Sequence, residues 1–244
     1  MTETRDVCVV GGGVAGLTAA VYTARHGLET TVFDGGTSLL RRNAHLENVP
    51  GFPAGVNSRL FLDLLAEQAD RAGCERREQT VQAVSIADGG FRVETGDGDT
   101  LRADHVVAAT KNETDYLADV EGVGFVQRSK TFVDTDERGR TGVDGLYAAG
   151  RLAEKPHQTA VCAGHGAEVA VTLLEEHDSG FYHDWVVPEG YFTDRGREVP
   201  PGCEEIDERE RERREQESLA VLREFVADPH PDAPEQHPSL VDED

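Results

Sequence analysis

The run Val7-Cys8-Val9-Val10-Gly11-Gly12-Gly13-Val14-Ala15-Gly16 leaves this chain few folds to adopt. Residues 6–10, apolar from Val7 onward with little alternation, read as a strand buried on both faces, as in the middle of a parallel sheet. Gly11, Gly13 and Gly16 then fit Gly-x-Gly-x-x-Gly. The first glycine permits a tight turn, the second lets the backbone approach a diphosphate, and the third lets helix and strand pack closely. The pattern predicts a helix over residues 14–26 with Gly27 as its C-cap, then a strand over Thr30–Asp34. That strand is parallel to the first by the right-handed crossover rule. The helix N-terminus offers free N–H groups and partial positive charge to phosphates. Asp34 stands where an acid can accept both hydroxyls of an adenosine ribose. Together these features point to a dinucleotide site in an α/β, Rossmann-type domain. A glycine-rich turn without a ligand is the alternative.

A second block, Thr141-Gly142-Val143-Asp144-Gly145-Leu146-Tyr147-Ala148-Ala149-Gly150-Arg151, reads as a strand over Gly145–Ala148 whose Ala-Ala-Gly end reaches the same nucleotide. Between the blocks, a helix is expected over residues 57–73, opened by Asn57 or Ser58. Short β segments follow at Arg77–Ile86, Phe91–Glu94 and Thr100–Arg102, separated by turns at Asp88-Gly89-Gly90 and Gly96-Asp97-Gly98. A buried strand is expected over His105–Thr110, a connection of low periodicity over 111–128, and a strand over Lys130–Asp134. Residues 160–176 read as a helix rich in Ala and Val.

Beyond residue 178 the character changes. The stretch Phe181–Pro188 is the most aromatic in the chain, and residues 204–227 read as a highly charged helix. Its apolar stripe is confined to Leu219, Leu222, Phe225 and Val226. From Asp228 the chain is rich in Pro, His and Asp and is expected to be flexible. The expected organisation is a nucleotide-binding domain over residues 1–178, an aromatic segment with the charged helix over 179–227, and an acidic tail over 228–244. Phe181, Tyr182, Trp185, Tyr191 and Phe192 admit three readings: a cover for exposed surface, a homodimer contact, or packing against the core.

Charge bounds the partners. With 47 acidic against 24 basic residues the net charge is −23, which repels nucleic acid and anionic membranes. Scarce Lys beside abundant Asp and Glu fits a surface that holds hydration in high salt; an acidic surface that steers a partner is the other reading. No apolar run approaches the ~18 residues of a membrane span. The N-terminus enters a strand directly, so no signal peptide is read there and the cytoplasm is the expected location. None of Cys8, Cys74, Cys162 and Cys203 forms a Cys-x-x-Cys pair or a metal-binding spacing, and no metal is expected.

With these motifs together, the chain resembles the flavin domain of the thioredoxin-reductase-like flavoproteins. The match is carried by Gly11–Gly16, Asp34-Gly35-Gly36, Glu47-Asn48-Val49-Pro50-Gly51-Phe52-Pro53, Val106–Thr110, Thr141–Gly150 and His157-Gln158-Thr159-Ala160. The resemblance implies FAD as cofactor. It puts the diphosphate over Gly13, Val14, Ala15 and Gly16, and the ribose on Asp34 and Gly35. Val81 is then near the adenine, Asn48 near the isoalloxazine, and Gly150 and Arg151 near the ribityl chain. Gln158, Thr159 and Ala160 would present a helix N-terminus to the pyrimidine end of the flavin, where reduction places negative charge.

Three departures matter. Arg151 stands where the family has an Asp, and Ala109-Thr110-Lys111 where it has Ala-Thr-Gly. The family's NADPH domain, with its redox dithiol, has no room in residues 111–128, because a βαβ unit alone needs ~30 residues. The expected activity is therefore FAD-dependent oxidoreduction with an external electron donor and acceptor, not reduction of thioredoxin itself. A non-catalytic flavin protein (carrier, sensor or structural subunit) is the alternative. No catalytic side chain stands out. Cys162, one turn into the last helix, reads as a packed residue, with a redox thiol as the minor reading.

Overall fold

The computed structural model describes residues 3–36, 38–87 and 89–240, without the side chain of Pro238. Asp88 of the expected turn and residues 241–244 of the expected tail lie outside them. The described residues fall into two compact units, one within Met1–Leu173 and Ala233–Asp244, the other Leu174–Asp232.

In the first unit, β1 (Glu3–Val10) leads through the glycine turn into α1 (Val14–Arg25) and back to β2 (Thr30–Phe33). β1 pairs parallel with β2, Val9 opposite Val32. Val7, Cys8 and Val9 are wholly buried, and burying such a side chain contributes roughly 1.5–3 kcal/mol. The helix ends one residue before the expected position. His26 is the cap, and Gly27 follows it with φ +90, the left-handed conformation that favours glycine.

α2 (Ser58–Ala72) starts as expected from Asn57, whose side chain accepts the N–H groups of Arg59 and Leu60. Next come β3 (Glu75–Arg77), β4 (Val81–Ala87), β5 (Gly90–Thr95) and β6 (Thr100–Ala108). Two expectations need correction. Arg77–Ile86 is not one segment, since β3 joins the edge of β2 while β4 pairs with β5. Conversely, Thr100–Arg102 and His105–Ala108 belong to a single strand, with Ala109 and Thr110 of the expected strand beyond its end. The break in pattern at Ala103 and Asp104 marks a change of partner, not a turn. The first half of β6 pairs antiparallel with β5, and its last three residues pair parallel with β9 (Leu146–Ala148).

Between β6 and β9 lie a 3-10 turn at Asp115–Leu117 and a hairpin of β7 (Phe125–Gln127) with β8 (Thr131–Val133). The β7 strand falls inside the expected irregular connection. The main sheet runs β3-β2-β1-β6-β5-β4, with β9 on β6. Its core includes Phe33, Phe91, Leu101, Tyr116, Leu117 and Leu152. α3 (Thr159–His177) closes the pattern.

The second unit pairs β10 (Trp185–Pro188) in parallel with β11 (Cys203–Ile206) and continues into α4 (Glu208–Phe225). Residues 204–206 are thus strand, not helix. Asp207 caps the helix, its carboxylate accepting the N–H of Glu210. The aromatic residues pack on one another, Trp185 against Tyr191 with centroids 5.1 Å apart and Tyr191 against Phe192 at 5.1 Å. Leu219, Leu222 and Val226 are exposed. Glu235, in the stretch expected to be flexible, donates its backbone N–H to the carbonyl of Arg41 at 2.9 Å. No helix among the described residues is long and apolar enough to cross a membrane.

Candidate functional site

The carboxyl ends of β2, β1, β6 and β9, neighbours in that order, open onto one cavity of about 510 Å³. Small-molecule sites usually span about 300–1,000 Å³, and in open α/β sheets they form where the connections diverge to opposite sides. That point here is β1, with β2 on one side and β6 on the other.

The four glycines of the turn serve different purposes. A Cβ on Gly11, which has φ +115, would meet the Ala109 carbonyl oxygen at 2.6 Å. One on Gly16 would meet the Gly11 carbonyl oxygen at 2.0 Å, so this residue sets how closely α1 approaches β1. At Gly12 it would strike the Asp34 carboxylate carbon at 2.3 Å. Gly13 is different. Its nearest neighbour to such an atom is Ser38 Oγ at 3.9 Å, and its backbone is extended at φ −86. Protein atoms demand glycine at 11, 12 and 16; at 13 the absent side chain leaves cavity space beside bare backbone.

Gly13 is also the N-cap of α1, with no side-chain cap and no acidic residue in the first turn. The first N–H groups of a helix lack internal partners, and Val14 and Ala15 line the cavity. Here the chain supplies the unmet donors and the partial positive charge that a diphosphate requires. Asp34 lines the next strand end, one oxygen accepting the Gly36 N–H at 2.8 Å. Gly35 and Val81 complete that side.

On the other side, Thr110 and Lys111 follow β6. Thr110 Oγ1 donates to the Glu113 carbonyl at 2.6 Å and lies 3.0 Å from the buried Tyr116 hydroxyl. Lys111 has φ +66, a left-handed conformation that costs a residue with a Cβ roughly 1–2 kcal/mol. Burial, and then Arg42, push its ammonium below its ordinary value. Arg151, which follows β9, is half-buried and bound to no acid among the described residues. Its guanidinium lies 4.7 Å from the Phe132 ring centroid and donates to the Lys155 carbonyl at 3.3 Å.

At the start of α3, Gln158 and Thr159 reach the cavity. Asn48 does not line it, but its Nδ2 donates to Gln158 Oε1 at 2.8 Å, fixing that carboxamide. Gly16 and Gly150, both buried, and Ala160, which is exposed, do not line the cavity. Cys162 does line it. Burial pushes its thiol up, which works against the redox-thiol reading. Burial likewise pushes Cys74 up to about 12 and raises Cys8.

The sequence reading missed Gly12, Arg42, Asn43, Gln79, Thr80 and Tyr116 as lining residues; His157, which opens the His157–Ala160 motif, lines the cavity as well. The middle place of Gly12 in a run of three glycines was a usable signal for it. Arg42, on a 3-10 turn at Leu39–Arg42, carries no periodic signature.

The sheet order and the cavity at its carboxyl edge define an α/β domain of the Rossmann type. The sequence profile of the pyridine nucleotide-disulphide oxidoreductases matches residues 5–72 and 61–166, and the chain belongs to that family. It is 38% identical over 114 residues to the bifunctional thioredoxin reductase/thioredoxin of Mycobacterium leprae, covering 46% of this chain and 25% of that one. It is 35% identical over 117 residues to the thioredoxin reductase of Streptomyces coelicolor, covering 46% and 36%. The chain therefore spans only about a quarter to a third of these relatives. Among solved structures, the thioredoxin reductase of Streptococcus pyogenes superposes with TM-score 0.66 at 14% identity, covering 73% of this chain and 100% of that one. The thioredoxin reductase of Gloeobacter violaceus gives 0.63 at 17%, covering 72% and 95%.

Proposed function

We propose that this chain is an FAD-binding oxidoreductase that works as a flavin domain, its electrons supplied and removed by partners outside the described fold. The observation that carries the reading is Gly13: a glycine required by no protein neighbour, at the bare N-terminus of a helix, facing the cavity. A dinucleotide diphosphate explains it. FAD dependence at the level of the family supports the choice of dinucleotide.

FAD, when bound, supplies two-electron transfer at its N5. The chain's residues do the rest. Val14 and Ala15 offer N–H groups to the diphosphate, and Asp34 accepts ribose hydroxyls, a role open only to an acceptor. Asn48 holds Gln158 in place at the positive end of α3. Burial of Val81, Tyr116 and Cys162 excludes water from part of the wall. Among the described residues, 109–145 hold a short turn and one hairpin, which supports an external electron donor and acceptor.

The test is the visible spectrum of the protein purified in multimolar salt, with release and identification of the chromophore. Bands near ~370 and ~450 nm with FAD released uphold the reading. A colourless protein that takes up no added FAD sinks it. A second reading, a carrier or sensor that holds FAD without turnover, draws support from Arg151, which stands at the end of β9 and can accept no hydrogen bond. Repeated cycles of dithionite reduction and reoxidation without loss of flavin would count against that second reading.

A further inference from the structure

The cavity inverts the charge balance of the chain. Overall, acids outnumber bases 47 to 24. Around the cavity the permanent cations are Arg42, Lys111 and Arg151, against the carboxylates of Asp34 and Glu113, with His157 alongside. Several arginines elsewhere are engaged by acids, as Arg77 is by Glu3 and Glu75, Arg128 by Glu154, and Arg214 by Glu204 and Glu210, while Arg59 and Arg195 bond to carbonyls. No carboxylate lies within ion-pair distance of Arg42, Lys111 or Arg151 among the described residues. In so acidic a chain, three cations around one cavity with no carboxylate partner among the described residues are open to an anion.

These cations also form a group of their own. Lys111 feels Arg42 and Lys130, and His157 feels Lys111 and Arg151. Burial and those two cations hold His157 below its ordinary value, so at neutral pH it is an uncharged donor or acceptor. Two of the cations lie to one side of the glycine turn, while Arg42 ends the 3-10 turn that follows β2. Lys111 follows β6 and Arg151 follows β9, one and two strands beyond β1, or roughly 5 and 10 Å at ordinary strand spacing. Asp34 lies on the opposite side, at β2. The diphosphate donors at Gly13–Ala15 stand between them, with their own helix N-terminus.

We propose that Arg42, Lys111, Arg151 and His157 form a subsite for a small oxyanion, carboxylate or phosphate in character, that binds beside the dinucleotide rather than as part of it. This rests on the FAD assignment and names the chemical class of substrate that would meet the flavin. A planar guanidinium held on Phe132 suits bidentate recognition of such a group. The left-handed backbone of Lys111 aims a charged side chain from a position that glycine would fill without strain.

Inorganic phosphate is the probe. FAD-saturated protein is titrated with it by calorimetry, with chloride lowered to keep ionic strength constant. The expected result is one phosphate per FAD-loaded chain, weakened at least about tenfold in Lys111→Gly and in Arg151→Gln. The first variant fits the backbone better than the native residue, and the second keeps a planar polar head, so neither should fail by misfolding. Phosphate affinity unchanged in both variants would overturn the subsite. So would phosphate that binds the FAD-free chain and is fully displaced by FAD, since the cations would then serve the diphosphate itself. FAD uptake is read from absorbance in the same samples. A chain that takes up no FAD fails the cofactor assignment alone, provided that phosphate binding to it still depends on Lys111 and Arg151.

Discussion

His165 accepts the backbone N–H of Gly150 through Nδ1 at 2.9 Å, one turn of α3 buttressing the end of β9 from behind the cavity wall. The residue is 4% exposed, and its Nε2 meets no partner at hydrogen-bonding geometry. Burial, then Lys155, push the ring down to about 4 from 6.5, with the Glu137 main chain and Asp136 opposing only in part. A protonated Nδ1 could not accept the Gly150 N–H. The folded value lies below the unfolded one, so the contribution is complete above about pH 6.5 and drains as pH falls towards about 4.

Chemical denaturation across that window checks this. His165→Leu orphans the Gly150 N–H and should cost about 1–3 kcal/mol at pH 8. The native chain should lose up to about 2–3 kcal/mol relative to the variant by pH 4.5. A difference between the two that does not change with pH would remove His165 as the cause.

Gly13 and Gly16 should separate binding from folding. Gly16→Ala drives a Cβ into the Gly11 carbonyl and should destabilise by about 1–3 kcal/mol or more, because neither backbone can yield. Gly13→Val meets open space and should leave the melting temperature within a few degrees, while FAD uptake falls at least about tenfold. Equal loss of stability in both would contradict the role given to Gly13.

Lys111→Gly should stabilise. It relieves roughly 1–2 kcal/mol of left-handed strain and returns roughly 0.5–1 kcal/mol in chain entropy. A net gain of about 0.5–1 kcal/mol in urea unfolding is expected. Lys111→Ala, which keeps the Cβ, should show no such gain. If the two variants behave alike, the strain at φ +66 is not real in solution.

Salt should matter more than for an ordinary domain. A net charge of −23 repels itself when unscreened, and the Debye length falls from ~10 Å at 0.1 M to ~3 Å at 1 M. The melting temperature should rise by several degrees between 0.1 M and 2 M KCl. A flat response would argue against an acidic surface adapted to high salt.

Most of the Rossmann framework was legible because it rests on local rules. The apolar run of β1, the glycine spacing and Asp34 are each read from a few adjacent residues. What escaped depends on long-range pairing. The split of β6 between two partners, one antiparallel and one parallel, leaves a dent in its pattern that looks like a turn. Arg42 enters the cavity from a 3-10 turn with no period to betray it, and Asn48 reaches the site only through Gln158, far along the chain. In the second unit, Cys203–Ile206 is strand because its partner Trp185–Pro188 lies alongside; charge alone favoured helix there.

The β6–β9 pairing has an architectural consequence. Val106 lies opposite Leu146 and Ala108 opposite Ala148, so the chain leaves the sheet at Ala109 and returns one strand over, only about 10 Å lower along the strands. Two chain ends that close together make a socket. Whatever is threaded between them, from a short hairpin to an entire folded module, leaves every register in the sheet untouched. The junction is therefore a natural place to graft a reductase module onto this chain.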